Sequence, residues 1–250
     1  MEANRRHRNR TNTNSSNKIK LCTLNICGLS ERSKLVINKY VDSKEIDILC
    51  LQETGTDDSS KLEIHNMCNI SDTNKAANKG VALYVRNKHT ITKLDNISKL
   101  SKNLDSCWGL VVIAKKRYII GNLYVKLNHK PAMNEVSRML TAAEQKQREL
   151  KAVGIIVSGD FNARHLSWGD KTNNYYGNSL VEVIDNTKYS ICTSKTPTFL
   201  CSNGSSVIDL NIISNNLVEQ VTSCQTDEEV ELFSGSPNRG HVPLITELKI

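Results

Sequence analysis

Residues 154–170 read GIIVSGDFNARHLSWGD. The apolar run Gly154-Ile155-Ile156-Val157 reads as a buried strand, and it passes through Ser158-Gly159 into Asp160, Phe161 and Asn162. An acid and an amide two residues apart at a strand end admit three readings. They form a turn, they cap a helix, or they belong to a catalytic site placed where the strand stops. The rest of the chain decides between them.

Working outward, hydrophobic patterning predicts a strand over 18–27 and a helix over 31–45. Ser30 is the helix N-cap, and Leu35, Val36, Tyr40 and Val41 lie on one side. Strands follow at 46–54 and 80–86, then a hairpin over 108–125 that turns at Lys115-Lys116. Pro131 opens a helix through Leu150 with Met133, Val136, Met139, Leu140 and Ala143 on its apolar side. Beyond the opening stretch come a helix over 177–188, a short strand at 190–193, and strands at 205–213 and 242–250. Hairpins mixed with helices and continuous apolar strands point to an α/β domain whose sheets are covered on both faces. No Pro- or Gly-rich linker interrupts 18–250, which reads as one domain.

The 250 residues are 38% hydrophobic and 24% charged, a globular balance. No solenoid repeat and no apolar stretch near the ~20 residues of a membrane span occur, so no membrane partner is expected. The N-terminus lacks the apolar core of a secretory signal, which predicts an intracellular protein. The 8 cysteines are scattered without a CxxC pair, so buried free thiols are expected rather than disulfides or a zinc site. Much of the net charge of +7 comes from Arg5, Arg6, Arg8, Arg10, Lys18 and Lys20, opposed there only by Glu2. Residues 1–17 are therefore expected to form a disordered basic tail. It grips phosphates, serves as a nuclear address, or is merely a solvated leader.

Polar residues recur where apolar strands end. Asn25 follows Leu24, and Glu53 ends the run Ile48–Gln52. Tyr124 closes Gly121–Tyr124, while Asp160 and Asn162 follow Val157. Asp209 lies inside Val207–Leu210, and His241 precedes Val242-Pro243-Leu244. A carboxylate inside an apolar strand is costly unless paired, so several together point to a shared cation or network. Metal-assisted phosphodiester hydrolysis fits this set. Mg²⁺ takes hard oxygen ligands, keeps several waters and needs only one or two protein carboxylates, of which Glu53 is the natural one. A histidine held by a carboxylate, His241 by Asp209, suits a general base. Asp160 and Asn162 could orient the nucleophile and steady the leaving oxygen. Singly, each residue also reads as a turn residue, a loop acid, a core tyrosine or a surface histidine. Their joint order carries the argument.

LNICG (24–28), LQE (51–53), NLY (122–124), SGDFNA (158–163), VIDL (207–210) and GHVPL (240–244) resemble, in order, the motifs of the endonuclease/exonuclease/phosphatase superfamily. This is the Mg²⁺-dependent fold of apurinic endonucleases and pancreatic-type deoxyribonucleases. The resemblance spans 18–250. Trp168-Gly169, Thr196-Pro197-Thr198-Phe199 and Ser205–Asp209 narrow it to the apurinic-endonuclease-like domain of non-LTR retrotransposons.

The resemblance implies a four-layer α/β sandwich, two packed mixed β-sheets flanked by helices, with the site at one edge. It implies that Glu53 ligates Mg²⁺, with Mn²⁺ as a substitute, and that Asn25 stands beside it. His241 would be the base, oriented by Asp209. Asp160 would serve the nucleophile or leaving group, and Asn162 and Tyr124 would hold the phosphate. The implied activity is a nuclear endonuclease nicking double-stranded DNA to leave a 3′-hydroxyl. That hydroxyl would prime reverse transcription by a downstream reverse transcriptase domain of the same polyprotein. Leu200–Ser206 matches a hairpin that in relatives reaches the DNA groove, although Ser202-Asn203-Gly204 also makes a plain turn.

One departure stands out: the family has Ser-Asp-His where this chain has Arg239-Gly240-His241. Without that acid, weaker activity is expected, unless Asp227, Glu228 or Glu229 replaces it. The alternatives are a repair-type apurinic endonuclease, another phosphodiesterase of this fold, and a catalytically weakened DNA-binding targeting module.

Overall fold

The computed structural model describes residues 18–56, 58–72, 79–101, 104–128, 130–227 and 240–250. The basic tail, Glu228, Glu229 and Arg239 lie outside these residues. In chain order the elements begin with β1 (Lys18–Asn25), α1 (Glu31–Ser43), β2 (Ile48–Gln52), β3 (Met67–Asp72) and β4 (Val81–Arg86). Next come β5 (Thr90–Lys93), α2 (Asp95–Ser98), β6 (Asp105–Ile113), β7 (Lys116–Tyr124) and α3 (Ala132–Leu150). Then follow β8 (Gly154–Asp160), α4 (Tyr175–Asp185), β9 (Tyr189–Cys192), β10 (Phe199–Cys201) and β11 (Gly204–Ser206). The last are β12 (Asp209–Ser214), β13 (Val221–Thr226), β14 (Gly240–His241) and β15 (Leu244–Lys249).

Among the described residues two six-stranded sheets form, ordered β13-β15-β1-β2-β4-β3 and β5-β6-β7-β8-β12-β9, beside a small three-stranded sheet ordered β11-β10-β14. Each large sheet is mixed, because β1 and β2 pair in parallel in one, as do β7 and β8 in the other. Leu49, Leu51, Leu24 and Tyr84 of the first sheet pack outward with Ile37, Tyr40 and Val41 of α1. Ile155, Val157, Leu210 and Ile212 of the second pack outward with α3 and α4. Ile19, Leu21, Ile48, Ile120, Ile156 and Ile213 fill the space between the sheets. The architecture is the expected four-layer α/β sandwich.

The side-chain period of two places alternate residues of each strand on the inner face, and along that face polarity rises. Ile48, Cys50 and Gln52 share the inner face of β2, and Ile120, Asn122 and Tyr124 that of β7. Ile156, Ser158 and Asp160 share that of β8, and Ile213, Asn211 and Asp209 that of β12. At one end of the sandwich the inner face is aliphatic. In the middle it is amide and hydroxyl, and at the other end it carries acids.

The middle tier joins the sheets. Gln52 Nε2 donates to Asn122 Oδ1 (2.6 Å), and Asn122 Nδ2 donates to the Leu51 and Ala82 carbonyls (2.9 Å each). Ser158 Oγ donates to Asn211 Oδ1 (2.6 Å), and Asn211 Nδ2 to Thr246 Oγ1 (3.0 Å). Buried amides bonded to one another in this way offset much of their desolvation penalty, although Gln52 Oε1 finds no partner among the described residues, and they set how the two sheets sit on each other.

Most expected elements are present, with three corrections. On α1 the buried stripe is Ser33, Ile37, Tyr40 and Val41, whereas Leu35 is 66% and Val36 36% exposed. Ser30 is the N-cap, in a capping box with Ser33. The strand expected over 205–213 is two strands. At Val207-Ile208 the chain leaves the β10–β11 hairpin and crosses to β12, with Val207 N held by Asp170 Oδ2 and Ile208 N by Thr198 Oγ1. Strands β3, β5 and β13 went unread because they are short, mostly polar edge or near-edge strands without a full hydrophobic alternation. The cysteines are free as expected, but only Cys22, Cys50 and Cys107 are buried. Among the described residues no helix is long and apolar enough to cross a membrane.

Candidate active site

The opening stretch ends its strand at the polar end of the sandwich, and the turn reading and the site reading both hold there. Asp160 Oδ1 accepts the Asn162 amide N–H (2.9 Å), and Asn162 takes the left-handed conformation at φ +48°. The other sheet repeats this device. Asn25 Oδ1 accepts the Cys27 N–H (3.0 Å), and Cys27 stands at φ +48°. Each strand thus ends in a turn closed by its own Asx side chain. Glu53, directly after β2, is also left-handed at φ +52°. For a residue other than Gly or Asn this conformation costs about 1–2 kcal/mol, and such strain gathers at sites that constrain a side chain.

Gly159 has its own reason to be glycine. It stands at φ +155°, and a Cβ there would lie 1.9 Å from the Leu123 carbonyl oxygen. That close approach of β8 to β7 sets Asp160 level with Tyr124 in the parallel ladder, while Asp209 lies opposite Asp160 in the antiparallel one.

The predicted residues come together. Asn25 Nδ2 bridges Glu53 Oε1 (2.8 Å) and Asp160 Oδ2 (3.0 Å), linking the two sheets through their acids. The Tyr124 hydroxyl bonds Glu53; burial, followed by the Glu53 charge, raises its pKa well above the usual value, so it remains a donor. His241 Nδ1 faces Asp209 Oδ2 at 2.9 Å and Oδ1 at 3.1 Å, which fixes Nδ1 as the protonated nitrogen. Nε2 points to Asp160 Oδ2, 3.7 Å away. The Phe199 ring lies 4.9 Å from the imidazole, centroid to centroid. Asn162 donates from Nδ2 to the Val125 carbonyl (2.8 Å) and so joins the site from the side of β7.

Asp160, Asp209 and His241 present ligand-capable atoms within 4.8 Å of one another. Burial raises the Asp160 carboxyl to about 7, the His241 charge opposing and the Asp209 charge adding. Burial also works against the His241 imidazolium. Asp209 and Asp160, with Glu53 behind them, outweigh it and push the pKa up to about 9. Three buried acids, Glu53, Asp160 and Asp209, therefore converge on a single imidazole among the groups that perturb them. An oxygen-rich donor set short of positive charge suits a hard divalent cation.

The sequence reading missed several residues that build this site. Thr198 Oγ1 accepts the amide protons of both Ile208 and Asp209 (3.0 Å each), locking the start of β12. Gln52 and Asn122 tie the sheets one tier below the acids. Asp105, opposite Tyr124, holds Gly80 N and Lys126 Nζ. Gln52 and Asn122 stand out in the sequence as lone amides in apolar strands, whereas Asp105 gives no such sign.

The missing acid at position 240 is not replaced by Asp227, which bonds the Tyr40 hydroxyl (3.0 Å) and Lys44 (2.7 Å) instead. Gly240 stands at φ +155°, a setting that L side chains rarely adopt, and pairs with Leu200 of the hairpin.

A family model described as endonuclease-reverse transcriptase matches residues 118–235. Several solved structures share the fold. The endonuclease domain of TRAS1, a telomere-specific non-LTR retrotransposon, superposes with a TM-score of 0.73 at 14% identity, covering 93% of this chain and 99% of that one. AP endonuclease LMAP from Leishmania major gives 0.72 at 16% identity over 94% and 89%. An AP endonuclease from Archaeoglobus fulgidus gives 0.67 at 15% over 93% and 100%. No curated protein matches the chain.

Proposed function

We propose that this chain, which resembles the endonuclease/exonuclease/phosphatase superfamily in fold and motifs, is a metal-dependent DNA endonuclease of the non-LTR retrotransposon type. It nicks double-stranded target DNA in the nucleus and leaves a 3′-hydroxyl from which a reverse transcriptase of the same polyprotein starts synthesis. The observation that carries the reading is the Asp209–His241–Asp160 row meeting Glu53 through Asn25. The likeness to the TRAS1 endonuclease and the endonuclease-reverse transcriptase match support the retroelement context.

Glu53 and its neighbour Asp160 would hold Mg²⁺ or Mn²⁺, with the Asn25 amide keeping the two carboxylates in place. The bound ion would supply charge to offset that developing on the phosphate. Asp209 holds His241 in one tautomer, and the His241–Asp160 pair takes a proton from water as its oxygen bonds to phosphorus. The bond from phosphorus to O3′ breaks, and the 3′-oxygen leaves as an alkoxide that takes a proton from solvent water to become the hydroxyl. Asn162, whose Nδ2 has a second proton beside the one given to Val125, and Tyr124, on turning its hydroxyl away from Glu53, would donate toward the phosphate.

Plasmid nicking with and without divalent metal, on wild type and His241→Ala, tests this. Wild type is expected to nick only with metal, and the variant to lose most activity. Equal nicking by the variant would remove His241 from its role. Gly240 favours a second reading, a weakened enzyme that mainly binds DNA; wild-type binding without nicking under any divalent metal would select it. Strong preference for abasic over plain duplex would select the repair-type alternative.

A further inference from the structure

Of the acids and the histidine at the site, Glu53 alone lies outside a strand, so no ladder fixes it. Its turn is suspended between two segments. On one side Gly28 N donates to the Glu53 carbonyl (2.8 Å) and Leu29 N to that of Thr54 (2.9 Å). On the other, Thr54 N donates to the Gly80 carbonyl (3.1 Å) and Gly55 N to that of Lys79 (2.8 Å). The second support needs an anchor of its own, because Lys79-Gly80 precedes β4 rather than belonging to it.

Asp105 is that anchor. This buried first residue of β6 belongs to the opposite sheet, and its Oδ2 accepts the Gly80 N–H at 2.9 Å. Its Oδ1 takes Lys126 Nζ at 2.6 Å. Asp105 lies directly across the ladder from Tyr124, whose hydroxyl reaches Glu53. Lys126 follows Val125, whose amide and carbonyl bond Asp160 and Asn162. A hydrogen-bonded chain therefore runs from Lys126 through Asp105, Gly80 and Thr54 to Glu53, and both of its ends abut the site. A buried acid beside a site for a phosphate diester would repel substrate unless neutralised, which gives Lys126 its place.

We propose that Asp105 is a positioning residue that holds the Glu53 turn where Glu53 meets a divalent cation, with Lys126 cancelling the Asp105 charge toward the DNA. This rests on the reading of Glu53 as the ligand. The carboxylate reaches Glu53 through one hydrogen bond that it accepts from Gly80 N and a second, backbone to backbone, from Thr54 N to the Gly80 carbonyl, so its acceptor oxygen matters for Glu53, while its pairing with Lys126 matters for substrate.

Hydrogen exchange of the metal-free full chain and Mn²⁺ binding by electron paramagnetic resonance test the two halves separately. Asp105→Ala is expected to speed exchange at Thr54 and Gly80 by about tenfold and to weaken Mn²⁺ binding by about tenfold or more. Exchange in β8 should stay unchanged. Asp105→Asn keeps an acceptor for Gly80 N and should restore both values. Lys126→Met should leave exchange and Mn²⁺ binding alone and raise the KM for DNA without lowering kcat. If β8 exchange shows Asp105→Ala unfolded, Asp105→Ser takes its place with the same expectations. Wild-type exchange at Thr54 and Gly80 in the truncated variant would overturn the proposal, as would faster exchange with unchanged Mn²⁺ affinity. If wild type itself binds no Mn²⁺, the reading of Glu53 fails, and the exchange result alone decides whether Asp105 holds the turn.

Discussion

Replacing Asn122 with alanine removes three hydrogen bonds from the middle tier at once: one from Gln52 and two to the Leu51 and Ala82 carbonyls. Asn122 is fully buried, so water does not take over these partners. Each bond contributes about 1 kcal/mol net, and the stranded carbonyls and the vacated volume add to the loss. The expected destabilisation is about 3–5 kcal/mol, or roughly a 10 °C fall in Tm for a domain of this size. Asn122→Leu fills the volume but leaves the same polar groups unpartnered, so it should still cost about 3 kcal/mol. Urea unfolding followed by the fluorescence of buried Trp108 measures both. Gln52 adjoins Glu53, so residual folded Asn122→Leu should also nick more slowly than its folded fraction explains. A cost below about 1 kcal/mol for alanine, or full activity per folded leucine variant, would refute the idea that these amides hold the two halves of the site together.

Gly159→Ala drives a methyl group into the Leu123 carbonyl and strains φ at +155°; the variant should lose more than about 3 kcal/mol or fail to accumulate folded, read by thermal melting. Asp209→Asn keeps the shape beside His241 but removes the charge that fixes its tautomer, so nicking should fall by about a hundredfold or more with little change in Tm. His89 is held neutral chiefly by burial, which lowers its pKa below 6.5 despite Asp47 3.3 Å away. The unfolded chain therefore binds the proton more readily, so stability is complete above pH 6.5 and falls as pH drops through the lowered value. His89→Gln should flatten this acid limb in urea titrations between pH 5 and 7, and an unchanged limb would assign it to other groups.

How much of this was legible depended on the kind of interaction. Strand β8 and helix α3 could be read to within a residue because their apolar periodicity records which face is buried. The edge strands β3 and β13 could not, because they are mostly polar and only a few of their residues, such as Ile70 and Val221, pack on the core. Leu35 and Val36 misled for the opposite reason: apolar side chains on α1 are tolerated in water, and the packing of Ile37 and Tyr40 on the sheet decides the buried stripe.

The same division runs through the site. The order of Asn25, Glu53, Tyr124, Asp160, Asn162, Asp209 and His241 follows from local chemistry, since each is a polar group at or near an apolar strand end. Sequence by itself thus determined that these strands would each end in acids, amides or an imidazole and that the sheets would be covered on both faces, while the sandwich came from the likeness of its motifs to a known superfamily. Only the tertiary structure decided which ends meet: that Asn25 bridges Glu53 to Asp160 across two sheets, that Asp227 turns away to Tyr40, and that Asp105 supports the Glu53 turn through Gly80. The physical reason is that a strand's pattern encodes burial along one chain, whereas hydrogen bonds between sheets depend on how distant segments register against each other, which no local period records.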